Sequence, residues 1–228
     1  FLHEQNAIMG TSNNLLKRFS KIIFLGFSIN EQVTKKMMLV GNPIKQSKES
    51  SLGTQRYESP KIYVTGGSLG SEFINKNIPI ALNALNIPLE VRHQSGDGKS
   101  IGVKELYSSN ISVEVEEFYD LPHDVILWSD FIISRAGALS LSEAISLKRG
   151  LVIIPLPSAI DNHQLLNAKN IVSLDMGLIH EESQAIESLT QKLQKVIEAK
   201  IYEQWSNKES NLDHFQAAAR MLSSILKF

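Results

Sequence analysis

The chain has 228 residues, enough for one complete domain of roughly 100–200 residues and part of a second. Lys+Arg 23 against Asp+Glu 24 leaves a formal net charge of -1, so there is no bulk field to hold a nucleic-acid backbone. Cysteine is absent, which removes disulfides, thiolate metal ligands and a sulfur nucleophile, and no apolar run approaches the roughly 20 residues of a membrane span.

The chain starts with Phe1 rather than Met, without a basic segment and cleavage site, and Phe1-Leu2 runs at once into His3-Glu4-Gln5-Asn6. That reads as entry into the middle of a fold. A helix is expected over 13–19, followed by short strands at 21–25 and 37–40. This is too little to bury a core, so residues 1–42 are expected to be the remnant of a separate N-terminal domain, with a boundary near Asn42-Pro43. Leu15-Leu16-Lys17-Arg18-Phe19 reads as a solvated face beside a core face, in preference to a membrane contact. Residues 46–60, with four serines, one glycine and few apolar side chains, have a linker's composition.

From Lys61 to Ile179, β-branched runs alternate with longer amphipathic segments: 62–64, 89–91, 111–113, 131–133 and 151–154. Alternation at this spacing predicts an α/β fold with a parallel sheet flanked by helices, filling a domain over 43–205. Ile74, Ile78, Ala81, Leu82 and Leu85 make one helical apolar face, and Leu139, Ala144, Ile145 and Leu147 another. Residues 206–228 end in a helix over 213–226, whose Phe215, Ala218, Ala219, Leu222 and Ile225 form a stripe in need of a partner surface.

In parallel sheets ligands sit where strand C-termini meet helix N-termini, because free N–H groups point there. Val64-Thr65-Gly66-Gly67-Ser68-Leu69-Gly70-Ser71 is such a junction. Gly67 would let a phosphate approach and Ser68 would donate to it, but a tight turn wants the same residues. At Ser134-Arg135-Ala136-Gly137-Ala138-Leu139-Ser140, the last three residues would offer N–H groups to an anion. Glu143 would then accept from ribose hydroxyls one turn on, yet Ser140-x-x-Glu143 is also a capping box. Asp161-Asn162-His163-Gln164 suits sugar hydroxyls, and Asp161-x-x-Gln164 is again a capping pattern. At Glu117-Phe118-Tyr119 an aromatic could border a flat base, although Phe118 alone reads more readily as core. The six histidines, at 3, 93, 123, 163, 180 and 214, form no ligand-like grouping, so no metal site is expected, and no Gly-x-Ser-x-Gly elbow exists.

In order, His3-Glu4-Gln5-Asn6, Gly41-Asn42-Pro43, Gly66-Gly67-Ser68-x-Gly70, His93-Gln94-x-Gly96, Glu117-Phe118, Arg135-x-Gly137-Ala138-Leu139-Ser140-x-x-Glu143 and Asp161-Asn162-His163-Gln164-x-x-Asn167-Ala168 resemble one family across nearly the whole chain. That family is the undecaprenyldiphospho-muramoylpentapeptide β-N-acetylglucosaminyltransferases, the MurG family. The resemblance implies a GT-B architecture of two Rossmann-like domains, of which this chain would hold the UDP-N-acetylglucosamine (UDP-GlcNAc) half and a C-terminal helix returning to the other.

By the same resemblance, Ser68, beside Gly67, contacts the diphosphate. Ala138, Leu139 and Ser140 frame phosphate and sugar, Glu143 binds ribose, Phe118 and the Tyr119 backbone border uracil, and His163 and Gln164 reach GlcNAc. Asn6 and Lys45 would face the cleft. The implied reaction is an inverting, metal-independent and cofactor-free transfer of GlcNAc to lipid I, made by a peripheral protein on the cytoplasmic face of the bacterial inner membrane. The acceptor, the membrane surface and a candidate base would belong to the other domain, so the isolated chain is expected to be inactive. Two other readings are a non-catalytic UDP-sugar-binding subunit that needs an acceptor-domain partner, and a UDP-GlcNAc epimerase of the same architecture. Three positions depart from the family's usual residues: Leu69 for Gln, Ser71 for Ala, and Lys45 for a frequent Arg.

Overall fold

A computed structural model of the chain describes residues 1–29, 34–45, 59–208 and 212–227. The expected linker thus lies almost wholly outside the described residues. The chain opens with β1 (Leu2–Glu4), α1 (Thr11–Leu16), β2 (Ile23–Leu25) and β3 (Met37–Leu39), which form a small parallel sheet of order β1-β2-β3. β1 escapes a sequence reading because it is short and polar. Its Glu4 is 3% exposed and organises the next loop, accepting from Asn6 N, Gly10 N and Asn13 Nδ2.

The larger unit runs β4 (Lys61–Thr65), α2 (Glu72–Asn83), β5 (Leu89–Gln94), α3 (Ser100–Lys104), β6 (Ile111–Glu116), α4 (Pro122–Trp128), β7 (Phe131–Ser134), α5 (Ala138–Ser146), β8 (Gly150–Ile153), α6 (His163–Ser173), β9 (Gly177–Ile179), α7 (Ile186–Glu198) and α8 (Ile201–Ser206). Its strands form one all-parallel sheet of order β6-β5-β4-β7-β8-β9. Side chains alternate across it as a pleated strand requires. Ile62, Val64, Phe131 and Ile133 point to α2, α7 and α8, where Ile74, Ile78, Leu189, Leu193 and Trp205 cover them. Tyr63, Ile132, Leu151 and Ile153 point to the other face, under Val125 of α4, Leu141 and Ile145 of α5 and Ile171 of α6. Cover on both faces is what a parallel sheet needs, and it is why the central strands β4, β7 and β8 are buried along their whole length, whereas β5 and the edge strand β6 alternate.

The last helix, α9 (Ala217–Ile225), crosses back onto the small sheet. Met221 packs against Ile22, Phe24 and Val40, and Arg220 Nη1 donates to Val40 O. The expected stripe is displaced about one residue around this helix: Leu222 and Ile225 stay exposed, and the seated positions are His214, Ala217 and Met221. Polar anchors decide the rotation. Asp213 caps the preceding turn by accepting from Phe215 N, and buried His214 accepts from Asn42 N through Nδ1 at 2.8 Å.

Candidate functional site

The strand order reverses direction between β4 and β7, which lie side by side with Thr65 in register with Ser134. Their C-terminal ends splay the following connections to opposite faces, leaving a crevice. A cavity of about 160 Å³ occupies it, lined by Thr65 at the end of β4 with Gly67 and Ser68 after it, Gln94 at the end of β5, Phe118 after β6, Ser134 at the end of β7, and Ser140 and Glu143 of α5, with Tyr63 and Ile132 beneath.

The turn after β4 works at two levels. Gly66 and Gly70 are demanded by packing, since a Cβ would sit 2.4 Å from Ser71 N at Gly66 and 2.0 Å from Ser95 O at Gly70. Gly96 is the counterpart from the next loop, where a Cβ would meet Leu69 O at 2.6 Å. Gly67 shares a positive φ, +88°, with Gly70 and Gly96, but no atom lies within 4 Å of its missing Cβ. It is the glycine that borders open space. Ser68 is exposed beside it, and Leu69 is 84% exposed, so the departure at 69 removes no interior contact.

α5 settles the capping alternative. Its N-cap is Gly137, without a side-chain cap, so Ser140 stands inside the first turn rather than at the cap position. The Ala138, Leu139 and Ser140 N–H groups have no acceptor among the described residues, as the first turn of a helix leaves them. Glu143 lines the cleft with no hydrogen-bond partner among the described residues, and burial raises its carboxyl pKa. A half-buried carboxylate with no such partner, one turn behind free N–H donors, is costly for folding and is left available to a ligand.

Phe118, which reads as core on its own, is 56% exposed at the rim of the cleft. Tyr119 packs edge-on against Tyr63 with ring centroids 6.0 Å apart, and its N–H donates to Gln94 Oε1 at 3.4 Å. Gln94 is a residue to which the sequence reading gave no role. Its Oε1 also accepts from Tyr63 Oη, and its Nε2 donates to Gly67 O at 3.0 Å, so one amide ties the β4 turn to the β6 turn. The preceding His93 is structural: fully buried, bonded to Tyr107 Oη and Asn75 Oδ1, and held neutral by burial with its pKa lowered to about 3.

Seven expected residues, Tyr119, Ala138, Leu139, His163, Gln164, Asn6 and Lys45, stand outside this lining. Gln164 does not cap α6; its Oε1 accepts from Ala136 N and Leu156 N, so it is a bracket between two loops with only Nε2 left to donate. His163 donates from Nδ1 to Ile160 O at 2.8 Å, which makes Nδ1 the protonated nitrogen. Asp161 and Asn162 both adopt positive φ, of 54° and 56°, to turn the chain into this helix. Asn6 is occupied with Glu4 Oε1 and Asn167 Nδ2. Lys45 is exposed away from the cleft lining.

Arg135 holds the loops around the site. It donates to Ile154 O, Pro155 O and Ser71 Oγ and pairs with Glu182 at 2.5 Å. Ser71 thus has a use here: its hydroxyl caps α2 by accepting from Ile74 N and takes the Arg135 fork.

Comparison with known proteins agrees with this geometry. Residues 61–222 match the glycosyltransferase family 28 C-terminal domain. The UDP-N-acetylglucosamine–N-acetylmuramyl-(pentapeptide) pyrophosphoryl-undecaprenol N-acetylglucosamine transferase of Aeromonas hydrophila is 35% identical over 175 residues, covering 75% of this chain and 48% of its own. The enzyme of the same name from Tolumonas auensis is 38% identical over 177 residues, covering 75% of this chain and 50% of its own. The chain therefore spans about half the length of the curated relatives it matches. The crystal structure of Acinetobacter baumannii MurG superposes on 100% of this chain and 67% of that one, with a TM-score of 0.83 at 28% identity. The fold, the order of the loops and the family match together show that this chain belongs to glycosyltransferase family 28, with MurG transferases among its relatives.

Proposed function

We propose that the cleft at the ends of β4 and β7 binds UDP-GlcNAc, and that this chain supplies the donor-binding half of a transferase that moves GlcNAc onto lipid I to form lipid II. The observation that carries this reading is Glu143, a carboxylate of the cleft lining with no hydrogen-bond partner among the described residues; in this reading it accepts two vicinal ribose hydroxyls while the α5 N-terminus faces a diphosphate. Phe118 and the Tyr119 backbone border the base, Ser68 donates to the diphosphate, and the 155–164 loops take the sugar.

Transfer proceeds with inversion, by direct attack of the MurNAc C4 hydroxyl on the anomeric carbon as UDP departs. Negative charge grows on the leaving diphosphate and is stabilised in this reading by the N–H groups of α5 and the Ser68 hydroxyl, without a bound metal. Proton removal from the acceptor and contact with the cytoplasmic membrane surface are assigned to residues outside this chain.

The test is calorimetry with UDP-GlcNAc on the 228-residue chain, with and without EDTA, followed by product analysis. Expected are binding unaffected by EDTA, no conversion of UDP-GlcNAc alone, and no steady turnover of a lipid I analogue. Absence of binding would sink the site, epimer formation would replace the transferase by an epimerase, and steady turnover would overturn the division into halves.

A further inference from the structure

We infer that Asn42 is a positioning residue for the anion-binding turn of α5, acting on it through the hydroxyl of Ser142. This rests on the reading of that turn as the diphosphate site. Because a peptide group is planar, holding a carbonyl fixes the direction of the next residue's N–H. The cleft-side peptides of α5 are held in this way: Ala136 O accepts from Asn167 Nδ2 at 3.1 Å, Gly137 O from Leu141 N at 3.0 Å, and Ala138 O from Ser142 Oγ at 2.8 Å. The last of these sets the Ala138–Leu139 peptide, whose N–H is one of the donors without an acceptor among the described residues.

A serine hydroxyl carries one proton and swivels freely unless something occupies its lone pairs. Asn42 Nδ2 donates to Ser142 Oγ at 3.0 Å, so the serine proton is committed to Ala138 O. Asn42 is itself locked. It is fully buried, its second amide hydrogen goes to Gln5 O at 3.1 Å, its backbone N–H goes to His214 Nδ1, and a Cβ on Gly26 would sit 2.0 Å from its Oδ1. That Oδ1 is a buried acceptor with no partner among the described residues. Aspartate would present a second acceptor where both Gln5 O and Ser142 Oγ require a donor, so the position demands an amide. Asn42 follows the small sheet and does not line the cleft, yet it sets a donor inside it.

The decisive variant is Ser142→Ala, because alanine is the better helix former and the chain keeps its packing. UDP is titrated calorimetrically onto the 228-residue chain, and Tm is measured with and without saturating UDP. Expected for Ser142→Ala is a Kd raised about three- to tenfold, the range of one lost hydrogen bond, with a smaller UDP-induced rise in Tm. Asn42→Ala should weaken UDP to a similar extent, and the double variant should weaken it no further than the worse single one. A purely structural role would lower the Tm of the free chain and leave Kd unchanged, and that result for Ser142→Ala would overturn the inference. If the unsubstituted chain binds no UDP, the functional reading fails first and this one with it. If the unsubstituted chain binds and Ser142→Ala binds equally well, this inference alone fails.

Discussion

Replacing Glu143 by Ala separates binding from scaffolding. In the free chain the carboxylate has lost water without gaining a partner among the described residues, which is why its pKa is raised. Its removal should therefore leave Tm unchanged or slightly higher. Had it belonged to a capping box, the same change would cost about 0.5–2 kcal/mol of stability. On the ligand side, a charged acceptor shared by two ribose hydroxyls contributes about 1–3 kcal/mol, and at 1.4 kcal/mol per decade that is a loss of roughly 5- to 150-fold in UDP-GlcNAc affinity.

Proton linkage gives an independent reading of the same site. Ribose donors favour the charged form, so binding should strengthen as pH rises through the raised pKa of the free chain, with proton uptake by buffer as ligand binds. Calorimetry in two buffers of different ionisation enthalpy measures this directly. Unchanged affinity in Glu143→Ala, together with no linked proton, would refute the argument.

The glycines of the β4 turn should separate by mechanism. Gly67→Ala meets open space and should cost only the left-handed penalty of about 1–2 kcal/mol, whereas Gly70→Ala adds a 2.0 Å clash with Ser95 O and should cost about 3 kcal/mol or more. Equal melting temperatures for the two would show that the close approach of the turns is not what fixes Gly70. Acid should destabilise the fold through its buried histidines. Burial, aided by Arg220 and opposed by Asp213, pushes the pKa of His214 down to about 4 from its ordinary 6.5. The unfolded chain takes up that proton as pH falls below 6.5 while the folded chain resists it, so the contribution is complete above pH 6.5 and lost progressively toward pH 4. At 1.36 kcal/mol per pH unit this amounts to roughly 3 kcal/mol. Urea unfolding at pH 7 and 4.5 reads it, and His214→Gln, whose amide oxygen still accepts from Asn42 N, should flatten the acid limb.

The parallel sheet was legible because its strands are short runs rich in β-branched residues, apolar on both faces in β7 and β8, and such runs between amphipathic segments have few other uses. Gly67, Ser68, Phe118, Ser140 and Glu143 were legible because ligand sites in this architecture sit at strand-to-helix junctions, and the structure brings these five to one cleft. Less legible were β1, hidden by its polar residues, and the α4 and α7 helices, which carry no chemistry to draw attention. Gln94 was in plain view inside a motif, but an amide that joins two loops leaves no periodic signature. The setting of α9 was read about one residue out, since a stripe of alanines and leucines fixes a helix's rotation less firmly than a single buried imidazole does.

Local sequence determines which residues are strand, which turns need glycine and which side chains carry charge, because those preferences act over a few bonds. It leaves Ser140-x-x-Glu143 and Asp161-x-x-Gln164 balanced between cap and ligand site, because both outcomes demand the same residues at the same spacing. The packed chain excludes the caps: Gly137 takes the cap position of α5, Glu143 has no partner among the described residues, and Gln164 is spent on Ala136 and Leu156. A hydrogen bond is made once, and which group receives it depends on what distant segments such as Asn42 and Asn167 have brought alongside.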